Sequence, residues 1–153
     1  MILIGLQASG KSTFFRERFA PTHDHVSKDL LRRHRQPARR QQELLRASLS
    51  AGHSVVVDNT HATAASRAAV IAIARASGAR VIGYFFETES ADALRRNRLR
   101  QGPARVPDVA IFATRKRLEP PSVEEGFDEL WTVRLDEANR TFELTPRANS
   151  SIT

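Results

Sequence analysis

The chain has 153 residues, 27% of them charged, with a formal net charge of +7 and no cysteine; that suits one domain with a real core and excludes a disulfide framework or a thiolate metal site. No apolar run approaches the roughly 18 residues of a membrane span. The first strand starts at the N-terminus and leaves no room for a signal peptide, so a cytoplasmic protein with no membrane partner is expected. Of 24 basic residues 21 are arginine, the better side chain for bidentate phosphate contacts. They gather in two segments, Lys28 to Arg40 and Arg95 to Arg105, while Glu119 to Glu137 is acidic. Codon bias alone would enrich arginine without clustering it, so the clustering points to an anionic ligand, nucleic acid among the candidates.

In chain order, residues 1–5 read as a short buried strand, too apolar to alternate, as at the centre of a parallel sheet. A helix is predicted from Lys11 to Phe19, stopped by Ala20-Pro21. His25 to Ser27 is a minimal second strand, followed by a short helix from Leu30 to His34 that Asp29 can cap. A helix over 38–51 ends at Gly52, a good residue to follow a helix. Ser54 to Val57 is the clearest strand, β-branched and apolar. A helix over 63–77 and a strand over 80–86 follow. The alternation implies parallel strands with right-handed crossovers. Two arginine-rich helices, 91–101 and from Val106-Pro107 to about Leu118, read as a lid. A last strand spans 130–135, with a further edge strand at 141–144. With Gly5 to Ser12 reading G-x-x-x-x-G-K-[ST] between the first strand and helix, the expected architecture is α/β: a three-layer P-loop NTPase fold, a mostly parallel sheet of about five strands with a helical lid over 90–118. One domain covers 1–146, and 147–153 form a frayed tail.

The chemistry starts at Gly5-Leu6-Gln7-Ala8-Ser9-Gly10-Lys11-Ser12, a G-x-x-x-x-G-K-[ST] stretch between strand and helix. The glycines allow a tight turn and close backbone approach. Successive N–H groups form an anion nest at the positive end of a helix. Gly5, Gln7, Ala8, Ser9, Gly10, Lys11, Ser12 and Thr13 are the candidate nucleotide contacts: Lys11 for the β- and γ-phosphates, Ser12 for Mg²⁺. In open α/β sheets ligands bind beyond the carboxyl ends of strands, which adds Asp29 after the second strand and Asp58 after the third. Asp29 reads as either a helix cap or a proton acceptor. Asp58 reads as either an acceptor ligand or a strand-end Mg²⁺ ligand. Five histidines lack metal-ligand spacing and read as surface or loop residues. Five arginines within eleven lid residues repel one another unless something anionic is near.

Beyond the loop, Lys28-Asp29-Leu30-Leu31-Arg32 resembles the (Arg)-Asp-x-x-Arg element of the 5′-polynucleotide kinases. Val57-Asp58-Asn59-Thr60-His61 is similar to their Asp-Asn-Thr-Asn strand end, with His61 in place of the last Asn. Arg96-Asn97-Arg98-Leu99-Arg100 with Val106-Pro107 resembles their lid, and Leu118 to Asp128 their Phe-Glu-x-Pro…Glu-Gly-Phe segment. The likeness covers residues 1 to about 135 and places the chain beside zeta-toxin-like and AAA-type kinases. It implies transfer of the ATP γ-phosphate, with Mg²⁺, to the 5′-hydroxyl of a DNA or RNA end. Asp29 would be the general base, and Arg32 would contact the phosphate on the 3′ side of the acceptor nucleotide. Asp58 and Thr60 would bind the acceptor. Arg96 and Arg100 would close over the triphosphate, with Arg100 stabilising the migrating group. Ser27-Lys28 replaces a common Asn-Arg, and no repair domain accompanies the kinase segment. A small-molecule or nucleoside kinase, and a nucleic-acid-associated NTPase or switch without an acceptor, stand as alternatives.

Overall fold

The computed structural model describes residues 1–148. Its elements are β1 (Ile2–Gly5), α1 (Lys11–Arg18), β2 (His23–Val26), α2 (Pro37–Ser50), β3 (Ser54–Asp58), α3 (Ala64–Ala76), β4 (Ile82–Phe86), α4 (Ser90–Arg98), α5 (Asp108–Arg117), β5 (Glu129–Asp136) and β6 (Thr141–Pro146). Three 3-10 turns, Asp29–Leu31, Gly102–Ala104 and Val123–Glu125, punctuate the loops. The sheet has six strands in the order β2-β3-β1-β4-β5-β6. β1 to β5 pair in parallel, and β6 returns antiparallel along β5.

The sixth strand is the edge strand expected at 141–144, two residues longer than read. Thr141 to Pro146 is a full edge strand because a four-residue turn after Asp136 returns it to the tail of β5, with Val133 opposite Leu144. Arg147 is no frayed end: its N–H donates to the Leu130 carbonyl at 2.7 Å, and its guanidinium lies 5.3 Å from the Phe85 ring centre. Residues 149–153, the rest of the expected tail, lie outside the described residues. β2 begins two residues before its expected start and ends at Val26.

Because strand side chains alternate between faces, β1 feeds two cores. Ile2 and Ile4 join Val55, Val57, Phe85 and Leu130 beneath α2 and α3. Leu3 joins Val56, Tyr84, Phe86 and Val133 beneath α1. Phe14, fully buried, plugs the second core with Tyr84, Phe86 and Phe142 rings 5.2–5.3 Å away, tilted or edge-on. Burial of such a side chain contributes about 3 kcal/mol, so α1, and the loop leading into it, is pinned from below. Tyr84 and half-buried Trp131 are strand residues, as read from the sequence.

α2 starts at Pro37, whose missing N–H costs nothing in the first helical turn. α3 starts with a reciprocal capping box between Thr63 and Ser66. The C-terminal ends of β1, β2 and β3 therefore open on one edge, where the loop before α1, the Asp29 turn and the Asp58 loop meet beneath α4 and α5.

Candidate active site

Residues 5–12 wrap the end of β1. Gly10 sits at φ +99°, where a Cβ would also meet the Phe142 ring at 3.1 Å, so this position needs glycine twice over. Ala8 takes φ +58°. The alternation of hands turns consecutive N–H groups toward a common centre, an anion nest capped by the N-terminus of α1. Lys11 lies within it, buried, donating to the carbonyls of Gly5 (3.0 Å) and Leu6 (2.5 Å) and to Ser9 Oγ (3.3 Å). Burial draws its pKa down from 10.5 to about 8; the charge of Arg100 lowers it further, and Asp58 and Asp29 oppose that. Thr13 Oγ1 accepts from Arg16, and Gln7 Nε2 donates to Thr114 of α5 at 3.0 Å, tying the loop to the lid.

Asp58, 6% exposed, ends β3. Its Oδ2 accepts from Ser12 Oγ at 2.9 Å and lies 3.0 Å from His25 Nε2. Burial alone would raise its pKa, but His25, Lys11 and Ser12 outweigh that and leave the carboxyl more acidic than usual. His25 is held by a stack on Phe15, with ring centres 4.0 Å apart. Mg²⁺ prefers oxygen donors, few of them from protein, with phosphates and water completing the shell. The adjacent Ser12 and Asp58 oxygens fit that pattern, and no group of three or more acidic or histidine ligands forms a protein-only cage among the described residues.

Asp29 is not a helix cap. It is the first residue of the 3-10 turn, past the N-cap position that Lys28 holds, and its N–H donates to Ser27 Oγ at 3.2 Å. Its carboxylate is 87% exposed, with Arg32 Nη2 3.8 Å away. Arg32 also donates to the Pro103 carbonyl at 3.3 Å, joining this rim to the lid. Asn59 braces it by accepting from the Lys28 N–H at 2.9 Å and donating to Gln41. Thr60 contributes its carbonyl to the Gly5 N–H at 2.9 Å, a contact that holds the loop.

The lid arginines do not share one task. Arg95 pairs with Asp92 and Glu137, Arg98 with Asp108, and Arg96 with Glu137. The anionic partner that their mutual repulsion requires is thus largely the protein itself. Arg100 and Arg105 have no ion pair among the described residues, and the Arg100 guanidinium bonds to the Ala104 carbonyl at 3.2 Å. Burial pulls the pKa of Arg100 down while Asp29 and Asp58 push it up. The charges of Asp29 and Asp58 thus reach both Lys11 and Arg100.

A family model described as an AAA domain, AAA_33, matches residues 1–121. The chain belongs to the AAA_33 family. Three solved structures share its fold. A gluconokinase from Sinorhizobium meliloti 1021 is 17% identical, covers 91% of this chain and 85% of its own, and superposes with a TM-score of 0.64. Kti12 of Chaetomium thermophilum, solved in complex with ADP-AlF3, is 17% identical over 91% and 92%, also at 0.64. A chain of the PezAT toxin-antitoxin system of Streptococcus pneumoniae is 16% identical over 98% and 73%, at 0.66. This AAA_33 chain is a P-loop kinase in fold, and the likeness stops short of the polynucleotide kinases in particular.

Three residues around the candidate site escaped the sequence reading. His25 passed for a loop histidine, although its place one residue from the end of β2 puts it on the ligand edge. His61, expected near the surface, is buried at φ +45°, donating from Nδ1 to the Leu3 carbonyl at 2.7 Å, and burial lowers its pKa to about 4. Arg67, on the buried face of α3, is wholly inaccessible: it forks onto Glu125 (2.7 and 3.1 Å) and donates to the His61 carbonyl at 2.8 Å.

Proposed function

We propose that the protein transfers the γ-phosphoryl group of ATP to a hydroxyl, and that its acceptor is the 5′-hydroxyl of a nucleic-acid end. Phosphoryl transfer asks a protein for positioning and charge rather than covalent chemistry. In this reading the nest and Lys11 hold the β- and γ-phosphates. Ser12 and Asp58 would hold Mg²⁺, which supplies neutralising charge when bound. Asp29 takes the acceptor proton as the acceptor oxygen bonds to the γ-phosphorus and the bond to the bridging oxygen breaks, releasing ADP. Arg100 faces the charge that spreads over the migrating group. The Ser12–Asp58 bond favours the metal-side role for Asp58 over a direct acceptor contact, which leaves Arg32 and Thr60 as the acceptor-side candidates.

The observation that carries the nucleic-acid acceptor is the openness of the rim. Asp29 is 87% exposed and Arg32 50% exposed, and Lys28, Arg33 and Arg35 are exposed beside them. An enclosed small substrate would want its base recessed; the end of a polymer needs an open, basic approach. A second reading, a small-molecule kinase, is favoured by the fold likeness to the gluconokinase, and the solved structures support it better than they support a polynucleotide acceptor.

Labelled ATP with Mg²⁺, offered in parallel a 5′-hydroxyl oligonucleotide, nucleosides and sugar acids, tests both. Label on the oligonucleotide end, lost when that end is already phosphorylated, is the expected result. Label on a sugar acid or nucleoside alone would establish the second reading. Label released only as inorganic phosphate would sink both.

A further inference from the structure

The lid's Arg96 is occupied on two sides. Its Nε donates to Glu137 Oε1 at 2.7 Å and its Nη1 to the Ala8 carbonyl at 3.1 Å, and its side chain is only 18% exposed. Ala8 belongs to the phosphate loop. A loop whose N–H groups converge on an anion turns its carbonyls outward, so Arg96 grips the outer side of the nest. Glu137 meanwhile also receives both terminal nitrogens of Arg95, at 3.0 and 2.8 Å. One carboxylate thus holds two consecutive arginines of α4.

Glu137 lies in the turn between β5 and β6, and that hairpin is itself seated on the phosphate loop. Phe142 of β6 and Leu135 of β5 are the side chains a Cβ at Gly10 would meet, at 3.1 and 3.8 Å. The hairpin therefore touches the loop with apolar groups and the lid with a charged one. One residue beyond Arg96, fully buried Asn97 staples the lid loop: its Nδ2 donates to the Val106 carbonyl at 2.7 Å and its Oδ1 accepts from the Val106 N–H at 3.1 Å. Arg100 follows, its N–H bonded to the Asn97 carbonyl at 3.1 Å. Any slip of α4 at Arg96 is carried directly to Arg100.

We infer that Arg96 is a positioning residue rather than a ligand of the triphosphate: with Glu137 it anchors α4 to the outer side of the phosphate loop, and this anchor sets where Arg100 stands. The inference rests on the nucleotide-binding reading of the loop. It assigns Glu137, in the hairpin beyond the catalytic motifs, a part in the reaction. The pKa of Glu137, brought down to about 2 by the hydrogen bonds from Arg95 and Arg96, agrees with a carboxylate that stays paired throughout the working pH range.

The test is a double-mutant cycle of Glu137→Ala and Arg96→Ala, read by amide hydrogen exchange across 90–98 in the nucleotide-free protein and by the Kd for MgATP. Each single variant is expected to speed exchange in α4 about tenfold, the scale of one lost charge-assisted bond. The double variant should be no faster than the worse single one, and Kd should stay within about threefold of wild type. Where an acceptor is turned over, kcat should fall in both with KM for ATP held, and Glu137→Gln should restore part of the loss. The inference is overturned if Arg96→Ala weakens MgATP tenfold or more while Glu137→Ala tightens it, or if α4 exchange is unchanged. Wild-type protein that binds no MgATP would refute the functional reading instead, and the exchange cycle would still decide the anchor.

Discussion

Lys11 is a charge held where charge is expensive, and that should be measurable as stability. Burial takes its pKa from 10.5 to about 8. Between those two values the unfolded chain keeps the proton and the folded protein has released it. The unfolded state then binds more protons, so stability must rise with pH across this window. Below pH 8 the folded protein carries the full cost of the buried ammonium, about 3 kcal/mol at 1.36 kcal/mol per pH unit. Lys11→Met removes the titrating group. Urea unfolding of both proteins from pH 7 to pH 10.5 isolates it, because the other titrating groups largely cancel in the difference. Wild type should gain about 3 kcal/mol on the variant over that range, equivalent to roughly 6–12 °C in Tm for a domain of this size. MgATP should bind wild type progressively more weakly above pH 8, as the proton its phosphates need is lost, and should not bind the variant. Parallel stability curves would show that Lys11 is hydrated in the nucleotide-free loop and refute the reasoning.

Two further substitutions probe the frame around the site. Arg67→Ala strands Glu125 and the His61 carbonyl; since Glu125 retains 18% exposure, the loss should fall near the lower end of about 3–5 kcal/mol, checked as a change in urea midpoint, and a loss under about 1 kcal/mol would mean the pair is merely superficial. His61 is buried neutral with a pKa near 4, so the unfolded chain takes up its proton first as pH falls from 6.5 toward 4. His61→Asn should flatten the stability lost in that window by up to about 3 kcal/mol, seen in acid titration of Tm beside wild type.

The conformation of the loop before α1 was legible because its determinants are local. A strand, a loop with glycine where φ must be positive and a helix start are all written within residues 1–19. The parallel pairing of β1 to β4 followed from alternation alone. The rim around Asp29 was legible as residues but not as geometry: Asp29 also suited a helix cap until the structure placed it inside the 3-10 turn. What stayed hidden depends on contacts across long stretches of chain. Glu137 is 41 residues from Arg96 and read only as part of an acidic segment. Arg67 went unread, because burial of a charge is decided by a partner 58 residues away. β6 was visible as a short edge strand, but its role in seating the phosphate loop through Phe142 depends on tertiary packing that no periodicity encodes.

The central claim is that one cleft joins a phosphate donor to a hydroxyl acceptor through Asp29. It is tested most directly by measuring MgATP binding and γ-phosphoryl transfer to a 5′-hydroxyl oligonucleotide in the same preparations of wild type and Asp29→Asn. The account predicts equal MgATP affinity in both proteins and transfer reduced in the variant by about 10²–10⁴-fold, the usual worth of a positioned base. Undiminished transfer by Asp29→Asn would contradict it.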